Sequence, residues 1–193
     1  MYLAEKITNE LKNIGVISSE LYEVYRYGIQ IGLEMCSCFL VCLCISVYLH
    51  MVLEFLISNV ILMLLRSYAG GMHLHSFGAC FICSVTVQTM LLLINARYTL
   101  TFLISWFIIG TGILFILKVA PVENINRRLD FDEKEHCRMI VKKILAGIVL
   151  FAVGCTLINE STIVSLIALT ILQVTLSQYI GVAKYKFEKN RRR

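Results

Sequence analysis

Arg66-Ser-Tyr-Ala-Gly-Gly-Met-His-Leu-His-Ser-Phe-Gly-Ala-Cys80 joins two runs that carry no charge, Phe55 to Leu65 and Phe77 to Ala96. Runs of this kind are predicted to be helices, because a backbone in hydrocarbon must satisfy its own hydrogen bonds. The joint holds an arginine, paired glycines and two histidines, all groups that belong at a water edge. It is therefore predicted to turn the chain back at the surface of a bilayer.

The rest of the sequence agrees. Hydrophobic residues make up 58% and charged residues 16%, against roughly a quarter charged in soluble domains, and the mean hydropathy is +0.77. With a single proline, Pro121, long helices are left uninterrupted. A spanning helix needs about 20 apolar residues. On that measure Gly28 to His50 forms a first span, with Glu34 near its start. His50 and Glu54 mark a turn, and Met51 to Leu65 forms a short second span. Phe77 to Ala96 is the third, Thr99 to Leu117 the fourth, Ile144 to Ile158 a short fifth, and Ser161 to Ala183 the sixth. Lys118 to Lys143 is expected to be a polar, basic loop.

The charges give an orientation. Cytoplasmic flanks hold an excess of lysine and arginine. Six spans place the N-terminus, the 66–76 joint, the 118–143 loop and the C-terminus on one side, and these hold 17 of the 18 basic residues, all but Arg97. The fold class expected is thus all-α: a polytopic membrane protein of about six transmembrane helices with both termini in the cytoplasm. Residues 1–26 form an N-terminal interfacial segment, 27–183 the membrane domain and 184–193 a basic tail. In the first segment Leu3, Ile7, Leu11 and Ile14 recur at helical spacing among charges and amides. Such an amphipathic helix either lies flat on the bilayer or packs on the rest of the protein. Gly15 ends it, and Ser18 or Ser19 can cap a second helix. No cleavable signal peptide is visible in residues 1–26, which lack an apolar core region.

Eight cysteines are present. Cys36, Cys38, Cys42, Cys44 and Cys155 sit inside apolar runs and read as small hydrophobes. Their spacing would spread ligands around a helix rather than gather them. The cysteine of interest is Cys80, in what should be the first turn of the third span. Free backbone N–H groups and the positive end of the helix dipole attract a thiolate there, and the same amides can hold an oxyanion. His73 is a candidate base and acid. On one straight helix the two residues would stand about 10 Å apart along the axis, too far for proton transfer, so the segment must bend, with Gly78 and a Ser76 cap as the place. Gly70-Gly71 permits positive φ and close approach of a substrate backbone. His75 is a rival base and Cys83 a rival thiol, one turn deeper.

The pattern Arg66-x4-Gly71-x-His73-x6-Cys80 resembles the signature region of AgrB, the accessory gene regulator B family. Glu23-Val-Tyr-Arg-Tyr-Gly28 looks like the approach to that family's first helix, and Ala120-Pro-Val-Glu-Asn124 before a basic stretch resembles its central loop. The resemblance implies a cysteine endopeptidase in the bacterial plasma membrane that removes the C-terminal tail of a small precursor, AgrD. Its catalytic pair falls on His73 and Cys80, with Arg66 and Gly71 as supporting residues. An acyl-enzyme thioester would then close into a cyclic thiolactone or lactone autoinducer. By the same analogy the protein is a homodimer whose partners are the precursor and membrane lipid, with no cofactor, no metal and no nucleic acid. The precursor's tail is acidic in this family, and Arg127, Arg128, Lys134, Lys142 and Lys143 can attract it; beside anionic lipid they serve equally as topology determinants. One departure is Gln30, where the family pattern leads one to expect a carboxylate; Glu34, one turn on, is its stand-in and is counted with the supporting residues.

Two non-enzymatic readings compete. A small transporter would turn Glu34, Glu54, Gln88 and Gln173 toward an internal path, although no internal repeat is evident. A metal or haem carrier would use His73, His75 and Cys80.

Overall fold

The computed structural model describes residues 2–18, 21–70, 77–121 and 130–191. Seven helices account for nearly all of them: α1 (Tyr2–Asn13), α2 (Tyr22–Tyr48), α3 (Val52–Ala69), α4 (Phe77–Arg97), α5 (Phe102–Val119), α6 (Phe131–Leu157) and α7 (Ser161–Arg191). There is no strand among the described residues. The last six helices are each long and apolar enough to cross a membrane, as the hydropathy pattern predicts. The chain is a multi-pass, all-helical membrane protein.

α7 is the hub. It packs against α3, α4, α5 and α6, and Val164-Ser-Leu-Ile-Ala168 is buried at every position, so this part of the helix meets protein on all sides. One apolar cluster joins it to α3, α5 and α6 through Leu65, Ile109, Ile116, Val141, Leu145 and Ile171. A second joins α2, α3, α4 and α7 through Cys42, Phe55, Leu91, Leu92 and Leu166, with the Phe39 and Phe55 rings 5.5 Å apart. α5 lies closest to α7. A Cβ added to Gly112 would collide with Ile171 Cγ2 and come within 3.3 Å of Thr175 Oγ1. Small residues permit such approach where lipid gives no hydrophobic drive to helix pairing.

Two interhelix turns carry the same lock. At the end of α2, Met51 N–H donates to Ser46 O at 2.9 Å and His50 N–H to Val47 O at 3.1 Å. At the end of α6, Glu160 N–H donates to Cys155 O at 2.9 Å and Asn159 N–H to Thr156 O at 3.1 Å. This is the Schellman arrangement, which satisfies the last carbonyls of a helix. Its left-handed residue is His50 in one case (φ 56°) and Asn159 in the other (φ 62°). Between the two turns, Leu100 N–H donates to Ser165 Oγ at 3.0 Å, Asn95 Nδ2 to Thr162 O at 3.3 Å and Trp106 Nε1 to Thr156 Oγ1 at 3.2 Å. That end of the bundle is tied by polar contacts from α7 and α6.

Three expectations are corrected. The short fifth span is in fact the second half of a 27-residue helix. The first half, Phe131 to Lys143, is helix where the sequence predicts part of a loop. Its mixed charges do not oppose helix formation, and Asp130 N–H donates to Glu133 Oε2 at 3.3 Å at its start, one half of a capping box. The second span also runs past Leu65, to Ala69, because Arg66-Ser-Tyr-Ala69 contains nothing that breaks a helix. Finally, the second helix expected within residues 1–26 is the first turns of α2, which begins at Tyr22.

Of the two positions open to the N-terminal helix, packing on the protein is observed. Ala4 and Thr8 are buried, Tyr22 Oη donates to Asn9 Oδ1 at 2.8 Å, and Lys12 Nζ lies 5.6 Å from the Tyr22 ring centre. Ile7 and Ile14 remain exposed. The small face docks, and these members of the apolar stripe are left outward, where a headgroup region can take them.

Candidate active site

The site is built from the end of α3 and the start of α4. α3 stops at Ala69 because Gly70 adopts φ 75°, ψ −175°, a conformation that residues with a Cβ rarely reach. The positive φ expected of the glycine pair is therefore present at its first member. Gly71, His73, His75 and Ser76 lie outside the described residues, and so does the separation of His73 from Cys80. The chain is helical again from Phe77. Cys80 is the fourth residue of α4, within the turn whose backbone N–H groups have no helical partner, and it is half-buried.

The expected bend is not at Gly78. That residue is the second of α4, fully within the helix; the other place expected for the bend, the Ser76 cap, lies outside the described residues. A Cβ built on Gly78 would meet nothing within 4 Å among the described residues. Cys83, the rival thiol, is exposed one turn deeper on an apolar helix, where it looks out of the bundle.

Arg66 lies one turn before Gly70 on α3, half-buried. Glu34 is half-buried on α2 and accepts a hydrogen bond from Gln30 Nε2 at 3.3 Å. The departure at Gln30 and its stand-in therefore form one pair. Of the cations suggested for the precursor's tail, Lys142 and Lys143 are exposed on α6 and Lys134 is half-buried there; Arg127 and Arg128 lie outside the described residues. Arg138, which sequence reasoning did not single out, shares this part of α6 and donates from Nε to Ala120 O at 3.3 Å.

The groups proposed to line a transport path are scattered over four helices. Gln88 donates to Ser58 Oγ at 2.6 Å inside the bundle, Glu34 pairs with Gln30, Glu54 lies in the first turn of α3, and Gln173 is half-buried on α7. All eight cysteines are free thiols. Among the described residues no three His, Cys, Asp or Glu side chains gather to hold a metal ion; the set His73, His75 and Cys80 falls partly outside them.

Sequence reasoning missed Gln178. It is fully buried on α7, and its Nε2 donates to Ala69 O at 3.4 Å, the last residue of α3. A signal was available. Val164, Ile167, Ala168, Ile171 and Val174 form the buried seam of α7, and Gln178 continues that seam at helical spacing, an amide where an aliphatic residue would fit.

The site thus offers a half-buried thiol in the first turn of a helix and a glycine pivot after the helix before. Chemically it suits attack on a carbonyl with the oxyanion held by backbone amides. The family model for accessory gene regulator B, AgrB, matches residues 4–180. Comparison with curated proteins and with solved structures finds no match.

Proposed function

The chain belongs to the accessory gene regulator B family, membrane proteins of autoinducer processing, and on that premise we propose that it is a membrane-embedded cysteine endopeptidase. Its substrate is an AgrD-like precursor, from which it removes the C-terminal tail. The observation that carries this reading is the placement of Cys80, half-buried in the first turn of α4. The nucleophile is Cys80 Sγ and the base is His73. The thiolate attacks the scissile carbonyl, and the amides at the start of α4 receive the negative oxygen. His73 returns the proton to the leaving amine as the C–N bond breaks. A cysteine or serine side chain of the bound peptide then gives its proton to His73 and attacks the thioester. The ring closes and Cys80 leaves as the thiol. Exchange between two thioesters is nearly balanced, so water must be kept from the acyl-enzyme, and a site at the edge of apolar helices assists in that.

Arg66 and Gly71 support the joint, and the Gln30–Glu34 pair takes the place of the expected carboxylate. Lys134, Lys142 and Lys143 on α6, with Arg127 and Arg128 before it, attract the acidic tail; this electrostatic steering weakens as salt rises. The protein acts as a homodimer in the bacterial plasma membrane, with the joint and both termini on the cytoplasmic face, where thiols stay reduced.

Two experiments test this. In the first, protein in liposomes is mixed with a synthetic AgrD-type precursor and quenched in acid. A peptide adduct on Cys80, released by neutral hydroxylamine as a thioester should be, is expected. An adduct on Cys83, or none during active cleavage, refutes the mechanism. The second tests sidedness with a membrane-impermeant maleimide on intact cells. Tyr98→Cys, in the turn between α4 and α5, should label directly, and Lys118→Cys, at the end of α5, only after permeabilisation. The reverse order inverts the proposed topology.

A further inference from the structure

Gln178 lies 17 residues from the start of α7, as Ala69 does from the start of α3. At 1.5 Å per residue each stands about 26 Å from the opposite end of its helix, so the two meet at one depth, level with the joint. The carbonyl of Ala69 is among the last four of α3, which have no helical donor. Gly70 turns the chain away at φ 75°, so no continuing helix supplies an N–H. Away from water that carbonyl needs a partner, and Gln178 Nε2 provides it from another helix. Since a carbonyl can only accept, the amide orientation follows, and Oε1 is turned to the other side. There it is buried, with no hydrogen-bond partner among the described residues.

An aliphatic residue would extend the α7 seam without leaving a buried oxygen unpaired. A glutamine here is explained by what it holds, the last peptide group before the pivot of the 70–80 joint. We infer that Gln178 is a positioning residue for the thiol chemistry: it fixes the point from which the chain leaves α3 and hence where the joint presents its groups to Cys80. This rests on the cysteine-peptidase reading and adds to it a residue about 100 positions away in the chain. Gln178 itself touches no reacting atom in this account.

Gln178→Leu keeps the volume and removes the tie. In full-length protein in liposomes, with a synthetic AgrD-type precursor, kcat is expected to fall about 10- to 100-fold, the scale of a small misplacement of reacting groups, with KM and the melting temperature little changed. In the same protein, alkylation of Cys80 by iodoacetamide, resolved from Cys83 by mass spectrometry, should change relative to that internal reference. A kcat within about threefold of wild type overturns the inference. So does a loss that only tracks the folded fraction, which would make the residue structural. If Gln178→Leu does not fold, Gln178→Met is the second variant, and failure of both to fold also overturns it. Failure of the underlying reading looks different: Cys80→Ser would then cleave as wild type does.

Discussion

Replacing Cys80 with serine should lower precursor cleavage by on the order of 10³-fold or more, the scale seen when a nucleophile is removed from a catalytic unit that acts together. A serine oxygen stays protonated at neutral pH, and an imidazole alone activates it poorly without an orienting partner. The thiol is the one nucleophilic side chain in the first turn of α4, and sulfur leaves readily from an acyl intermediate. The change is nearly isosteric at a half-buried position, so folding should be preserved, and detergent-extracted protein should melt as wild type does. Cys83→Ser is the control. That thiol is exposed one turn further into the membrane span, and its loss should alter the rate by less than about threefold, since it takes no part in the unit whose members act together. Cleavage is read by mass spectrometry of the released tail. Residual activity in Cys80→Ser near the wild-type level would leave the family assignment standing and remove the proposed nucleophile.

The largest effect on stability is expected at Gly112. Its Cα faces Ile171 and Thr175 so closely that a single added carbon meets Ile171 Cγ2. Ile171 is β-branched and fully buried, so its methyl cannot swing aside within the helix. Gly112→Leu must therefore push α5 from α7 or distort the seam, and overpacking of this kind costs about 1–3 kcal/mol or more. For a chain of this size each kcal/mol shifts the melting point by roughly 2–4 °C, readable through Trp106 fluorescence. Gly110 is the comparison: it lies on the same helix with nothing within 4 Å, and Gly110→Leu should leave the melting point near wild type. Pairing Gly112→Leu with Ile171→Ala should recover part of the loss, a coupling of about 0.5–3 kcal/mol in a double-mutant cycle. If the two changes simply add, the close approach is not what limits the packing.

Much of this architecture can be read before any coordinates. Hydropathy sums over some 20 residues, so six spans emerge even where single positions mislead. Glycine at position 70 announces a left-handed residue, since few other residues accept that conformation. The lower half of α6 could not be read in the same way. Its charges report the solvent around Phe131 to Lys143 rather than the backbone, and a charged helix and a charged loop look alike by composition. The packing face of α1 is hidden for a related reason. Its apolar stripe is the obvious candidate for burial, but Ala4 and Thr8 win because they permit close approach to α2. Cys80 could be placed in the first turn of α4 from the apolar run that follows it. Gln178 could not be tied to the joint, because a contact across 109 positions, from α7 to Ala69, depends on the tertiary arrangement.

The central place of α7 bears on how the protein is made. This helix leaves the ribosome after the other six, yet it carries the partners for Leu100 N–H, the Asn95 amide and the carbonyl of Ala69, and its flanks complete both apolar clusters. Until α7 has been made, the five earlier spans sit in the bilayer with those polar groups unmatched and with the groove for α7 empty. The thiol at the start of α4 is therefore in place long before its surroundings are, and the carbonyl at the end of α3 gains its partner only once α7 has been made.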